Sequence, residues 1–213
     1  MKKRTRAMLM LPAVWMALLL MPVYYGHASS VREVSLNEML RRSRLVFEGA
    51  VTAVQAKENS RKRIHTFVTF KIQDIIKGKY HGDTITLRFL GGTVGNVTMA
   101  VSDMRLPQKG EHGIYFVESL ERYQVNPLYG WSQGHFIVVP DAAGRKRIMT
   151  NRRLPVTGVL DDIPAAQTAP SKERTQALSK GVARGLVVVQ DKDGLTADEF
   201  KRVLHERIAK ENE

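Results

Sequence analysis

Residues 45–54 read LVFEGAVTAV, and the period of this stretch decides the fold class. Val46, Glu48, Ala50, Thr52 and Val54 alternate with Phe47, Gly49, Val51 and Ala53, a two-residue repeat that sends successive side chains to opposite faces of a strand. Working outward, 66–76 (TFVTFKIQDII) is a longer strand, with Val68, Phe70, Ile72 and Ile76 expected on one face. KGKYHG at 77–82 is a turn, and 83–89 returns with Ile85, Leu87 and Phe89 inward. Past a Gly91-Gly92 bend come a weaker strand at 97–101 and a Pro107-to-Gly110 turn. The apolar run Ile114, Tyr115, Phe116 and Val117 forms a strand over 113–119. A strand at 134–139 is expected to pair with 147–150 across the turn at 141–144. Six or seven short strands predict a mainly β fold. Gly49, Gly91 and Gly92, placed where tight bends need no β-carbon, point to a small, strongly bent antiparallel β-barrel.

Helices flank this core. Ser35-Leu36-Asn37-Glu38 is a capping box, and Leu36, Met39 and Leu40 fall on one face of a short helix over 36–44. At the other end, Thr196-Ala197-Asp198-Glu199 repeats the capping pattern ahead of an apolar stripe of Phe200, Val203, Leu204 and Ile208. The resulting C-terminal amphipathic helix is expected to dock on the barrel, with partner binding as its alternative role. GLVVVQ at 185–190 reads as one short strand, and 161–180 shifts to Ala, Pro, Gln, Thr and Ser, the composition of a linker. The expected division is a signal peptide at 1–28, a β-barrel domain at 29–158, a linker at 159–185, and a strand with the terminal helix at 186–213.

The first 28 residues read as an address. Lys2, Lys3, Arg4 and Arg6 precede a run free of charge, Pro22 interrupts it, and Gly26-His27-Ala28 supplies the small residues a secretory cleavage site needs. Cleavage after Ala28 is expected, giving a periplasmic or secreted chain; membrane attachment would come only from an uncleaved leader. The cut removes four positive charges and no acidic one, taking the formal net charge from +12 to +8. The chain has no cysteine, so disulfides, thiol nucleophiles and Cys-ligated zinc are excluded. Gly91, Gly92 and Gly95 lack the following helix and Lys of a phosphate-binding loop, and no cofactor is expected.

Three patterns suggest chemistry. Gly130-Trp131-Ser132-Gln133-Gly134 matches G-x-S-x-G, making Ser132 the candidate nucleophile. That motif needs a strand before the serine and a helix after it, whereas 135–139 reads as a strand. His65, His81, His112, His135 and His205 form no close ligand pair, so any metal site would have to be assembled from distant parts. Asp191-Lys192-Asp193-Gly194 resembles a calcium loop, but aligning Gly194 with the sharp turn puts Val189 and Phe200 at the anchoring ligand positions. Basic clusters at 61–63, 77–79, 145–147 and 152–153 fall at turns. Such positions suit a solvated surface or, where clusters converge, a polyanion. With no aromatic residues interleaved among the charges, nucleic acid is the least suited partner.

Residues 35–43 (SLNEMLRRS), 46–54, 70–78, 82–89 and 130–138 (GWSQGHFIV) together resemble a group of exported bacterial proteins to which no activity is assigned. More coarsely, a helix followed by strands that end in a Lys-Gly turn and restart at Gly-Asp is similar to netrin-like modules with an OB-type barrel, including the tissue inhibitors of metalloproteinases. That resemblance implies the barrel. It does not carry over their inhibitory mechanism, which uses an N-terminal Cys. The functional expectation is an exported, non-enzymatic module that binds a protein partner or an anionic envelope polymer. The expected surface combines the bend at 91–95, the loop bearing Tyr129, Trp131 and Gln133, and the basic turn of Arg145, Lys146 and Arg147. The alternative is a small extracytoplasmic hydrolase centred on Ser132 or on a metal held by distant histidines.

Overall fold

A computed structural model describes residues 32–160, 185–188 and 194–211; the leader, residues 161–180 and the Asp191-to-Asp193 part of the calcium-like loop lie outside them. Two long strands, β1 (Leu45–Glu58) and β2 (Ile64–Lys77), form the central hairpin. β3 (Thr84–Leu90) pairs with β2, and at Gly91 the chain bends into a small hairpin of β4 (Gly92–Val94) and β5 (Val97–Met99). β6 (His112–Val117), β7 (His135–Pro140) and β8 (Lys146–Thr150) complete a six-stranded antiparallel sheet in the order β3-β2-β1-β6-β7-β8. β9 (Val156–Val159) pairs with β10 (Leu186–Val188), and two helices, α1 (Leu36–Arg42) and α2 (Ala197–Glu211), flank the sheet. β3 and β8 are the two ends of the ladder and, among the described residues, do not pair with each other, so closure into the expected barrel is not shown. Among the described residues, no helix is long and apolar enough to cross a membrane.

Alternation along the strands builds two cores, one on each face. One holds Val46, Ile114, Phe116, Phe136, Val138 and Ile148 under the helices, with Leu36, Met39 and Leu40 from α1 and Phe200 and Leu204 from α2. The apolar stripe of α2 is thus buried against the protein's own sheet. Phe200 and Leu204 are fully buried, each stabilising the fold by roughly 1.5–3 kcal/mol. The second core lies on the other face. It contains Phe47, Val51, Val68, Phe70, Ile85, Leu87, Phe89 and Tyr115, with the rings of Phe47, Phe70 and Tyr115 in mutual contact.

Strict period-two reading fails in the central hairpin because its register slips three times, between Val46 and Phe47, Glu48 and Gly49, and Val51 and Ala53. Each bulge adds a residue on one strand, bends it and raises the twist. The slip at Thr52 reverses parity, so Val54 pairs with Val68 and shares the second face instead of following Val46. The slips near the other end place Ile76 in the helix-side core, away from Val68 and Phe70.

Both capping boxes form at their first half: Ser35 Oγ accepts from Glu38 N–H at 3.1 Å, and Thr196 Oγ1 from Glu199 N–H at 3.2 Å. Only the second is reciprocal, with Thr196 N–H donating to Glu199 Oε2 at 2.8 Å. Glu38 instead accepts from Arg32 and from the Tyr129 hydroxyl.

Candidate binding groove at the open end of the sheet

Because the Thr52 bulge turns Val54 to the second face, the far end of the β1–β2 hairpin lines a groove with the Gly91 bend and the 101–109 loop. It measures about 520 Å³ and is floored by Val54, Leu90 and Gly91, with Met99, Met104 and Leu106 along its walls. Gly91 (φ +95°) and Gly92 (φ +129°) make the bend possible. A β-carbon on Gly92 would lie 2.2 Å from Thr66 Oγ1, which itself donates to Gly91 O at 2.7 Å. A second depression of about 580 Å³ lies across β5, lined by Glu58, Lys62, Ile64 and Val97, and shares Thr98, Met99 and Ala100 with the first.

Exposed apolar side chains gather around this end. Val54 and Val97 line the two depressions, and Val125 O accepts from Leu90 N–H at 2.8 Å. Tyr123, 82% exposed, lies over the Arg88 guanidinium at 3.7 Å. The β1–β2 turn beside them is basic. Asn59 Oδ1 accepts from Arg61 and Arg63 N–H at 3.0 Å each, and Lys62 adopts φ +60° while pairing with Glu58 at 3.2 Å. The Arg61 and Arg63 side chains make no ion pair with any described residue.

Behind the groove sits a buried polar cluster. Arg105, in the groove wall, pairs with Glu111 at 2.5 Å, and Glu111 approaches His135 Nε2 to 2.7 Å without the alignment of a hydrogen bond. The His135 ring stacks on Tyr115 with centroids 5.0 Å apart. Burial pushes the Glu111 carboxyl up, but His135 and Arg105 outweigh it and leave the acid below its ordinary range. Burial lowers His135 against the pull of Glu111, and raises the Tyr115 hydroxyl well above the usual phenol. The Glu–His pair has the form of a base with its orienting acid, yet the His135 side chain has no exposed surface.

Ser132 lies on the 3₁₀ turn Trp131–Gly134, followed by a strand rather than a helix. Its hydroxyl donates to Asp103 O at 2.7 Å and accepts from Arg105 N–H at 3.3 Å; no described histidine hydrogen-bonds to it. Ser132 therefore pins the groove loop. Gln133 is buried and grips the N-terminal segment, accepting from Val34 N–H and donating to Arg32 O, each at 2.9 Å. The Tyr129 hydroxyl donates to Glu38 at 2.8 Å, and Trp131 is half-buried at φ +58°. The basic turn divides: Arg145 and Arg147 both bond to Asp141, whose carboxyl burial pushes up but the Arg145 N–H, the two arginine side chains and the Ala143 N–H bring down to about 2. Arg147, only 8% exposed, also donates to Gly194 O at 2.6 Å, tying β8 to the approach to α2, while Lys146 is exposed.

On the helix side, Glu48 is buried between His112 Nε2 at 3.0 Å and Lys201 Nζ at 2.7 Å, and Lys201 also reaches Asp74 at 3.2 Å. The His112 imidazole draws the carboxyl down first; Lys201 adds to it against burial, and Glu48 settles at about 2. Burial opposes the charge on Lys201, but Glu48 and Asp74 raise it overall. Sequence reading passed over Glu48 and Glu111. The available signal was a lone acid within an apolar strand and an acid abutting a histidine. Among the described residues, no group of three or more His, Asp or Glu side chains is placed to hold a metal ion. Comparison with family models, curated proteins and solved structures finds no match to this chain.

Proposed function

We propose that this protein is an exported, non-enzymatic binding module, periplasmic or secreted after cleavage at Ala28, that holds a protein partner in the groove over Leu90 and Gly91. The observation that carries the reading is the concentration at one end of the sheet of an open apolar groove and of exposed apolar side chains at Val54, Val97, Tyr123 and Val125. Monomeric proteins rarely collect such residues without using them. Export is supported by the order of charged, apolar and small residues in the leader. The likeness to an OB-type or netrin-like barrel draws support from the three bulges and from the placement of the Gly91 bend. Supporting the non-enzymatic side, the Ser132 hydroxyl is spent on backbone groups and the Glu111–His135 pair is enclosed.

The test is site-specific photo-crosslinking in intact cells of the source organism, with the reactive side chain at Ala100 in the groove and, for comparison, at Lys210 on the opposite side of the fold. A discrete protein adduct from position 100 and none from 210 is expected, accompanied by a processed N-terminus at Ser29. Adducts from 210 alone would overturn the assignment of the groove.

A further inference from the structure

Two features of the groove specify its occupant more narrowly, and the inference rests on the binding reading above. The first is shape: the two depressions adjoin along β5, sharing Thr98, Met99 and Ala100, so one ligand filling both is elongated. The second is charge. The segments framing the depressions, 57–63 and 97–109, carry Lys57, Arg61, Lys62, Arg63, Arg105 and Lys109 against only Glu58 and Asp103. These charges are distributed unevenly. The first depression is walled by Met99, Met104 and Leu106, with Arg105 already committed to Glu111. The second opens at the turn where the Arg61 and Arg63 side chains have no acidic partner among the described residues.

We infer that the partner presents an extended segment in which an apolar anchor, seated over Leu90 and Met99, is followed by acidic residues that reach the Arg61–Arg63 turn. Burial of the anchor supplies affinity, while the basic turn supplies orientation and speed of encounter.

The experiment uses protein purified from cells expressing the full-length gene and four fluorescent twelve-residue peptides, read by anisotropy at low salt. Three share one Leu-Phe-Met anchor followed by four glutamates, four glutamines or four lysines; the fourth has the glutamates without the anchor. The anchored acidic peptide should bind about tenfold more tightly than the glutamine form, and the advantage should shrink as salt rises. The double variant R61E/R63E should abolish that advantage, with an unchanged circular dichroism spectrum; both side chains are exposed and their N–H groups keep the Asn59 bonds. Ala100→Trp, which fills the space shared by both depressions, should lose all binding. Equal binding of the three anchored peptides, lost on Ala100→Trp, would overturn the acidic specificity and leave the groove assignment standing. Equal binding of the anchorless acidic peptide would make the site a simple polyanion surface and overturn the inference. Absence of binding by every peptide, or binding indifferent to Ala100→Trp, would overturn the groove reading as well.

Discussion

Replacing Glu48 by glutamine removes one charge from a buried position while keeping its shape, and the structure predicts both the cost and its pH dependence. The carboxylate lies between His112 and Lys201, is almost wholly buried, and titrates at about 2 rather than at the ordinary 4.5. A depressed acid contributes stability that is complete above its unfolded pKa and is lost as the pH falls through the folded one. At about 1.4 kcal/mol per pKa unit, the charge contributes about 3 kcal/mol at pH 7, about 1.4 at pH 3 and about 0.4 at pH 2. Lys201 keeps Asp74 and Asp198 in the variant, at 3.2 and 3.4 Å, so it is not left wholly unpaired. Urea denaturation of the wild type and Glu48→Gln from pH 7 to pH 2 reads the difference directly. The gap should be about 3 kcal/mol at neutral pH and nearly close at the acid end. A gap that stays constant over the whole range would refute the argument, because a cost independent of ionisation belongs to packing and not to the charge.

Three further substitutions separate structural roles from surface ones. Gly92→Ala, whose β-carbon would meet Thr66 Oγ1, should cost about 2–4 kcal/mol in urea unfolding, against about 1 kcal/mol for Gly95→Ala, where φ is also positive but nothing lies within 4 Å. Arg147→Ala should cost about 2–3 kcal/mol through the lost bonds to Asp141 and Gly194, whereas Lys146→Ala should stay within about 0.5 kcal/mol; equal costs would restore the view of 145–147 as one surface cluster. Ser132→Ala should lower stability by about 1 kcal/mol and speed amide exchange at Arg105, and wild-type protein should resist labelling by a fluorophosphonate. Labelling at Ser132 would favour the hydrolase alternative.

The strands were legible because burial imposes period two wherever one face is wet. β3 shows this plainly, with Ile85, Leu87 and Phe89 all turned into the second core. The helix starts were equally legible, since Ser35 and Thr196 satisfy N–H groups that no helix can satisfy internally. The bulges were not. Alternation continues on paper through Thr52, and only the pairing with β2 reveals that Val54 has changed sides. Val54 reaches the groove through that reversal, so this part of its floor was hidden even though the Gly91 bend beside it was visible. Charge clusters misled for a related reason: Arg145, Lys146 and Arg147 are adjacent in the chain, yet β8 sends Arg147 inward to Asp141 and Gly194 while Lys146 stays in water. Tyr129 and Gln133 read as interface residues in the sequence, and in the fold both place polar groups on the N-terminal segment and α1, a tie that spacing along the chain does not show.

Where β6 begins, two neighbouring residues tie the two faces of the sheet to different parts of the fold. Glu111 pairs with Arg105 in the groove wall and approaches His135 in the second core. His112 turns the other way to Glu48, which holds Lys201 on the terminal helix. An irregular loop such as 101–109 has few hydrogen bonds of its own to fix it, so its position depends on such ties. Arg105 contributes a buried charged one to Glu111, Asp103 a looser, exposed one to Arg152 at 3.9 Å, and Ser132 a pair of bonds to the backbone of Asp103 and Arg105. A wall fixed in advance loses less conformational entropy when a ligand arrives, and that saving goes into affinity. Of the two buried acids, Glu111 is accordingly the support for the 101–109 wall, while Glu48 fixes the terminal helix. Glu111 need not touch the proposed partner to matter, because removing it would release Arg105 and with it the wall against which the proposed anchor would pack.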